Sequence, residues 1–262
     1  MSESESGFEV IVLGAGDTFS EHLHPTALLL EAQGFRLAID CPDSYRAILR
    51  HASVRSNRPL SIADIDCVLI THVHGDHMNG LEGFAFYKHF VEHKRVRLVA
   101  SREVRQGLWE QRLKLSMGTL WDGARFHSLE FEDYFDYVPL DWHEPLELGP
   151  FRIRARRTVH HVPTSALHVE CQGRAFAYSS DTAFDPELIR FLEPANLIFH
   201  ETNYGPAHTP YESLLTLPAE LRERVRLIHY SDLFVASVLE ARAAASGPPP
   251  IQLAHEAEIW RP

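Results

Sequence analysis

Eleven short apolar runs, spread along most of the chain, limit what it can fold into. They are "FEVIVLG", "ALLLEA", "RLAIDC", "CVLITH", "VRLVAS", "FRIRARRTV", "SALHVEC", "RAFAYSSD", "ANLIFHE", "RVRLIHYS" and "IQLAHE". Each is β-branched or Leu-rich and bounded by Gly, Pro, Asp or Asn, so each reads as a strand. Helical periods fall between several of them. Tyr45, Ile48 and Leu49 form one stripe, with Asp43 or Ser44 as its cap. Leu81, Phe84 and Ala85 start another, extended by Tyr87 and Val91. Trp109 with Leu113, Tyr211 with Leu214 and Leu215, and Leu233 with Ala236 and Leu239 mark three more. The strands come in groups rather than in strict alternation with helices. That predicts packed sheets covered by helices, not a parallel barrel.

The length of 262 residues suits one domain over 1–262 and is ample for a sizeable core. "GPPP" at 247–250 reads as a rigid connector before the last strand. The aromatic, acidic and weakly periodic segment 116–150 is the candidate for a lobe over an active site. The formal charge is −11, and no Lys/Arg-rich run supplies the basic face that a nucleic-acid binder presents. A small substrate is therefore the first expectation. The acidic start "MSESESGFEV" has no apolar core of a signal peptide, and no window approaches 18 uncharged apolar residues, so neither secretion nor a membrane span is expected. Three unpatterned cysteines, Cys41, Cys67 and Cys171, fit a reducing cytoplasm better than a disulfide frame.

The chain also holds 17 histidines, and three of them crowd into "ITHVHGDHMNG" at 70–80. His72 and His74 follow a strand directly. Side chains two apart in extended backbone point the same way, so the two imidazoles converge on one ion. Asp76 and His77 follow in a turn where Gly75 and Gly80 let the backbone curl, and they face a second ion. Imidazole and carboxylate donors without thiolate suit zinc, with Mn or Fe as alternatives. The bland alternative is a polar surface loop, which the tight His-x-His-x-Asp-His spacing opposes.

Thr71–His77 resembles the signature of the metallo-β-lactamase superfamily, and the resemblance runs from "VLGAGDT" nearly to the C-terminus. It implies an α+β fold, an αββα sandwich of two mixed sheets with helices outside and metals at one edge. It also implies where the remaining ligands lie. "RRTVHHVPTS" supplies His160, "AYSSDTAF" supplies Asp181 and "RLIHYSD" supplies His229, in the family's order. By this resemblance two ions, most simply Zn2+, are held by His72, His74 and His160 on one side and by Asp76, His77 and His229 on the other, with Asp181 bridging. Ser180 stands where the family commonly has Gly, which bears on the turn and not on the ligand.

Two doublets need a choice. His160 and His161 cannot both point inward along a strand. His160 is preferred because Pro163 three residues on matches the family's ligand pattern. His22 and His24 lack a following carboxylate and read as loop residues near the site mouth. His51, His89, His93, His127, His143, His168 and His255 read as solvated or packing histidines. "LGAGDT" at 13–18 lacks both a P-loop Lys and the dinucleotide spacing, so it reads as a tight turn in the first hairpin. Asp40 reads as a buried carboxylate that orients the metal loop.

Many chemistries share this scaffold, and fold alone does not choose among them. Two features bear on the choice. "FHETNYGPAHT" at 199–209 resembles the His-Glu-Ala-Thr and His-x-Thr motifs of the ribonuclease Z branch, with Thr202 in place of Ala. By that resemblance Glu201 and His208 form a dyad in which His208 protonates a leaving oxygen. The tRNA-processing members carry a long arm between the ligands matching His160 and Asp181, whereas only 20 residues separate them here. The expected activity is therefore hydrolysis of a small phosphodiester, such as a cyclic nucleotide, by metal-hydroxide attack, with Asp76 or Asp181 orienting the nucleophile and His208 as acid. The alternatives are a thioesterase or lactonase on the same metals, a non-catalytic metal-binding scaffold and, less favoured, tRNA 3′ processing. Redox di-iron use disagrees with His74, where that branch usually has Glu. Related folds often dimerise, which leaves a homodimer open.

Overall fold

A computed structural model describes residues 7–237 and 251–262. The connector 247–250, Leu239 and the first six residues lie outside the described residues. Each of the eleven apolar runs contains a strand. β1 (Glu9–Gly14), β2 (Ala27–Ala32) and β3 (Phe35–Ile39) form an antiparallel meander, and β4 (Cys67–Leu69) and β5 (Val96–Ala100) continue it in parallel. A small hairpin of β6 (Thr119–Trp121) and β7 (Phe126–Ser128) follows, and β8 (Phe135–Pro139) then adds in parallel to β5. The second sheet opens with an antiparallel meander of β9 (Leu146–Leu148), β10 (Phe151–Arg157), β11 (Ser165–Cys171) and β12 (Arg174–Tyr178). β13 (Leu197–Glu201), β14 (Val225–Ile228) and β15 (Gln252–Leu253) extend it in parallel. β16 (Ile259–Trp260) returns to pair with β1, so both mixed sheets have seven strands.

Period-two alternation makes the layers. Val10 and Val12 of β1 face the apolar layer shared with the second sheet, where they join Ile153, Leu167, Val169 and Phe176. Ile11 and Leu13, one residue out of phase, face an outer layer with helix α1 (Tyr45–Ser56) and helix α3 (Leu81–Phe90). The chain between these helices holds the one-turn helix α2 (Gly75–Met78). Strands buried on both faces read as near-continuous apolar runs, which is why the strand pattern was legible. The architecture is the expected αββα sandwich. No helix among the described residues is long and apolar enough to cross a membrane.

Some local readings change. Ser44 takes the cap position of α1 in a left-handed conformation, φ 58, with no side-chain cap bond. "LGAGDT" is not a tight turn: β1 ends at Gly14, and a long connection reaches β2. A Cβ at Gly14 would lie 2.0 Å from the Pro25 carbonyl oxygen, so the glycine serves close backbone approach. Gly80 does the same against the Pro42 carbonyl, also 2.0 Å, rather than curling the metal loop. Segment 116–150 divides among the 119–128 hairpin, an edge strand of each sheet and the short helix Phe131–Tyr134. Such short pieces carry no sustained period.

Candidate metal centre

Parallel strands place their carboxyl ends on one edge, the usual place for chemistry in such sheets. Asp40 follows β3, His72 follows β4, Asp181 follows β12, Glu201 ends β13 and His229 follows β14. His74, Asp76 and His77 come from the turn into α2, and His160 lies on the connection between β10 and β11. All seven expected ligands meet there. Donor atoms of His72, His74, His160 and Asp181 lie within 4.8 Å of one another, as do those of Asp76, His77 and His229.

Asp181 sits at the middle. Its Oδ2 is 3.6 Å from His72 Nε2, 3.6 Å from His160 Nε2 and 3.4 Å from His229 Nε2, while its Oδ1 is 3.4 Å from His77 Nε2. Asp76 Oδ2 is 3.6 Å from His77 Nε2, and His160 Nε2 is 3.1 Å from His74 Nδ1.

The surrounding oxygens fix which nitrogen each ring turns inward. His77 Nδ1 donates to Asp40 Oδ2 at 2.8 Å, and His160 Nδ1 donates to the Ala207 carbonyl at 3.1 Å. Thr71 gives its hydroxyl proton to Asp40 and accepts from His72 Nδ1 at 3.0 Å. Thr26 gives its proton to the Gly16 carbonyl and accepts from His229 Nδ1 at 3.3 Å. In all four rings Nδ1–H is held by an oxygen, which leaves Nε2 as a lone-pair donor toward Asp181, the arrangement of metal-ligating histidines. His161, by contrast, is exposed, and the inward ring of that doublet is His160.

A cation fits this donor set. His72 Nε2, His77 Nε2 and Asp181 Oδ1 are buried without a hydrogen-bond partner, and such orphans are rare unless something else satisfies them. Burial holds His72 neutral and lowers its pKa well below the usual imidazole value, and burial likewise pushes His160 down to about 4. Both are thus free ligands at neutral pH. Burial disfavours charge on Asp181, but His229, His77 and His72 outweigh it and hold the carboxyl well below its usual range. Burial also opposes charge on His77, yet Asp181, Asp40 and Asp76 pull its pKa well above 6.5. The carboxylate field that draws a proton onto His77 is one that a dication neutralises. The site is thus a divalent-metal centre by its donor chemistry.

Glu201 and His208 meet as expected. His208 Nδ1 donates to Glu201 Oε1 at 3.1 Å, and the same oxygen accepts from the Thr182 and Thr209 backbone N–H groups at 2.9 and 3.3 Å. Burial pushes Glu201 up to about 7 despite the His208 hydrogen bond. Burial opposes charge on His208, but Glu201 reverses it and raises the imidazole pKa. The pair therefore holds a proton through neutrality. The His208 ring stacks on His229 with centroids 5.7 Å apart, and one of its nitrogens lies within 4.8 Å of the Asp181 and His229 donors. Sequence reasoning named Asp40 but missed Thr71, Thr26 and the Ala207 carbonyl as ring holders. Nothing about a threonine or a backbone carbonyl marks it beforehand. His24, expected near the site mouth, and His51, expected to be solvated or packing, instead meet Glu256 in a cluster outside this centre.

The family model described as Anti-Pycsar protein Apyc1 matches residues 8–244. A relative of that name from Paenibacillus sp. (strain J14) is 35% identical over 230 residues, covering 84% of this chain and 88% of its own. A cAMP/cGMP-dependent 3′,5′-cAMP/cGMP phosphodiesterase B from Dictyostelium discoideum is 21% identical over 243 residues, covering 86% of this chain and 20% of that longer protein. Among solved structures, the metallo-β-lactamase fold protein YhfI from Bacillus subtilis superposes with a TM-score of 0.73 at 18% identity, over 98% of this chain and all of its own.

Proposed function

The chain belongs to the Anti-Pycsar protein Apyc1 family, and from that premise we propose that it is a metal-dependent phosphodiesterase that opens the phosphodiester of a 3′,5′-cyclic nucleotide. Held by His72, His74, His160 and Asp181 on one side and by Asp76, His77, His229 and Asp181 on the other, two divalent ions, zinc first, fit the donors. The chemistry they supply is a water of near-neutral pKa and neutralised phosphoryl oxygens.

The chain's own groups do the rest. Asp76 accepts a proton from the attacking water. The water oxygen forms the new bond to phosphorus while the ester bond to the sugar oxygen breaks. His208, protonated on both nitrogens and held by Glu201 at Nδ1, gives the departing oxygen the proton it needs to leave. That held imidazole beside the metal donors is the observation that carries the reading, since a thioester or lactone has far less need of such an acid.

Other features support a small cyclic substrate. Between His160 and Asp181 the chain makes only the β11–β12 hairpin, turned at Gln172 and Gly173, so no arm is available to grip tRNA. A charge of −11 points the same way. The segment that carries His208 also lines a neighbouring cavity of about 530 Å³ with Tyr204 and Tyr211, side chains of the kind that stack on a nucleobase, although neither His208 nor a metal donor lines it. Three free, buried cysteines fit an enzyme of the reducing cytoplasm, and a single hydrolase domain over 1–262 is part of the same proposal. The test is a panel of 3′,5′-cyclic nucleotides, aryl phosphodiesters, thioesters and lactones given to the zinc-loaded protein. Cyclic-nucleotide turnover that collapses in His208→Ala is expected. Thioester or lactone turnover indifferent to His208→Ala, with no phosphodiester cleaved, overturns the reading.

A further inference from the structure

A second cluster of ligand-type side chains lies outside this centre. His24 comes from the β1–β2 connection, His51 from α1 and Glu256 from the segment between β15 and β16. Their donor atoms lie within 4.8 Å of one another. Three distant stretches of chain thus deliver two imidazoles and a carboxylate to one point.

The two imidazoles meet as two rings of the metal centre meet. His24 Nε2 is 2.9 Å from His51 Nδ1, with ring centroids 5.1 Å apart at 83°. At the metal centre His160 Nε2 is 3.1 Å from His74 Nδ1, with centroids 4.9 Å apart at 76°. Nitrogens bound to one tetrahedral ion at 2.0–2.1 Å stand about 3.3 Å apart, so both pairs have nearly that spacing. Glu256 is only 8% exposed. Its Oε1 accepts the His24 backbone N–H at 2.6 Å, which orients the carboxylate, and its Oε2 is 4.0 Å from His51 Nδ1. The Arg55 guanidinium, 3.4 Å from Oε2, competes for that oxygen, but its side chain is about half exposed and is free to turn to solvent.

We propose that His24, His51 and Glu256 form a further divalent-metal site of zinc type, with an open position toward solvent. Two imidazoles and one carboxylate are an established zinc donor set. The ion ties the β1–β2 connection to α1 and to the C-terminal segment. That connection carries Asp17, which accepts from Asn203 Nδ2 at 2.8 Å, and it leads into Thr26, which holds His229. The site therefore braces one wall of the catalytic centre without supplying it a ligand.

The test is metal stoichiometry by mass spectrometry on the intact, zinc-equilibrated chain. His51→Ala, on an exposed helix position, is expected to retain one zinc fewer per chain than the parent while cyclic-nucleotide turnover stays within about threefold. His51→Cys restores the lost equivalent, and with cobalt it adds a thiolate-to-metal charge-transfer band that the parent lacks. Unchanged stoichiometry in His51→Ala, or no such band in His51→Cys, overturns the proposal. The phosphodiesterase reading is judged separately, by turnover, so failure of one is distinguishable from failure of the other.

Discussion

Two fully buried carboxylates, one per sheet, do the same job with different outcomes. Asp40 beyond β3 accepts the Thr71 N–H at 2.8 Å, the Thr71 hydroxyl at 2.9 Å and His77 Nδ1 at 2.8 Å. Glu201 at the end of β13 accepts two backbone N–H groups and His208 Nδ1. Burial raises the pKa of both. The difference lies in the histidine each one holds. His77 is enclosed and also faces Asp181 and Asp76, so its Nε2 has cation chemistry to do. His208 keeps a fifth of its side chain exposed and faces the centre from one side, so its proton has somewhere to go. On the proposed reading, one carboxylate fixes a metal donor and the other fixes a proton donor. The first arrangement suits any reaction of this fold, while the second narrows the reaction to one with a poor leaving group.

The bluntest test of this contrast removes the cation both halves serve. Chelation, or Asp181→Ala, is expected to abolish turnover, with zinc add-back restoring the chelated protein and not the variant. Next in size is His208→Ala. General acids contribute about 10²–10⁴-fold, so kcat for a cyclic nucleotide should fall by that much with metal content unchanged. An aryl phosphodiester, whose phenolate leaves unaided, should lose far less. If His208→Ala instead strips metal, it is a ligand and the contrast collapses.

The two holders are expected to separate cleanly. Asp40→Asn should weaken metal affinity by about 10–100-fold, read by competition with a chromophoric chelator. Glu201→Gln should leave metal affinity alone and act on the pH profile. Because Glu201 raises the His208 pKa, the protonated acid persists above pH 6.5 and is lost only as pH rises through that raised value. Without the carboxylate, the alkaline fall of kcat moves to lower pH. An unmoved profile in Glu201→Gln would deny the dyad its role.

What was legible beforehand follows the same division. His72, His74, Asp76 and His77 sit within six positions, so local geometry announces them. His160, Asp181 and His229 are single residues at strand ends, and only a likeness to known motifs picks them out. The holders are less visible still. Thr26 and the Ala207 carbonyl act through contacts that chain topology creates, over separations of 203 and 47 residues. His24, His51 and Glu256 have no shared motif, so their meeting appears only once α1 and the C-terminal segment are packed. Strand runs were readable because both sheet faces are buried. Segment 116–150 was not, since its strands are short and lie on sheet edges or in a detached hairpin.

The smallest expected effect concerns Ser180, where the first residue of the Asp181 turn departs from the glycine expected from the metallo-β-lactamase resemblance. Its φ is 49, in the left-handed region, as are Asp40 at φ 63 and His229 at φ 57 beside the same centre. A side chain in that region costs roughly 1–2 kcal/mol, a cost glycine avoids. Ser180 recovers little of it, because its buried Oγ makes only a weak contact with the Tyr178 hydroxyl. Ser180→Gly relieves the strain, but gives up the weak Tyr178 contact and frees the unfolded chain by about 0.5–1 kcal/mol. The net expectation is a stabilisation of about 0.5–1 kcal/mol, seen as a rise of a few degrees in Tm at equal zinc occupancy. Metal content should stay the same, since the Asp181 carboxylate is placed by the strand end and by the four imidazoles around it. A fall in Tm would mean that Ser180 fixes the turn through its side chain, and that serine here is a working substitute for glycine rather than a tolerated one.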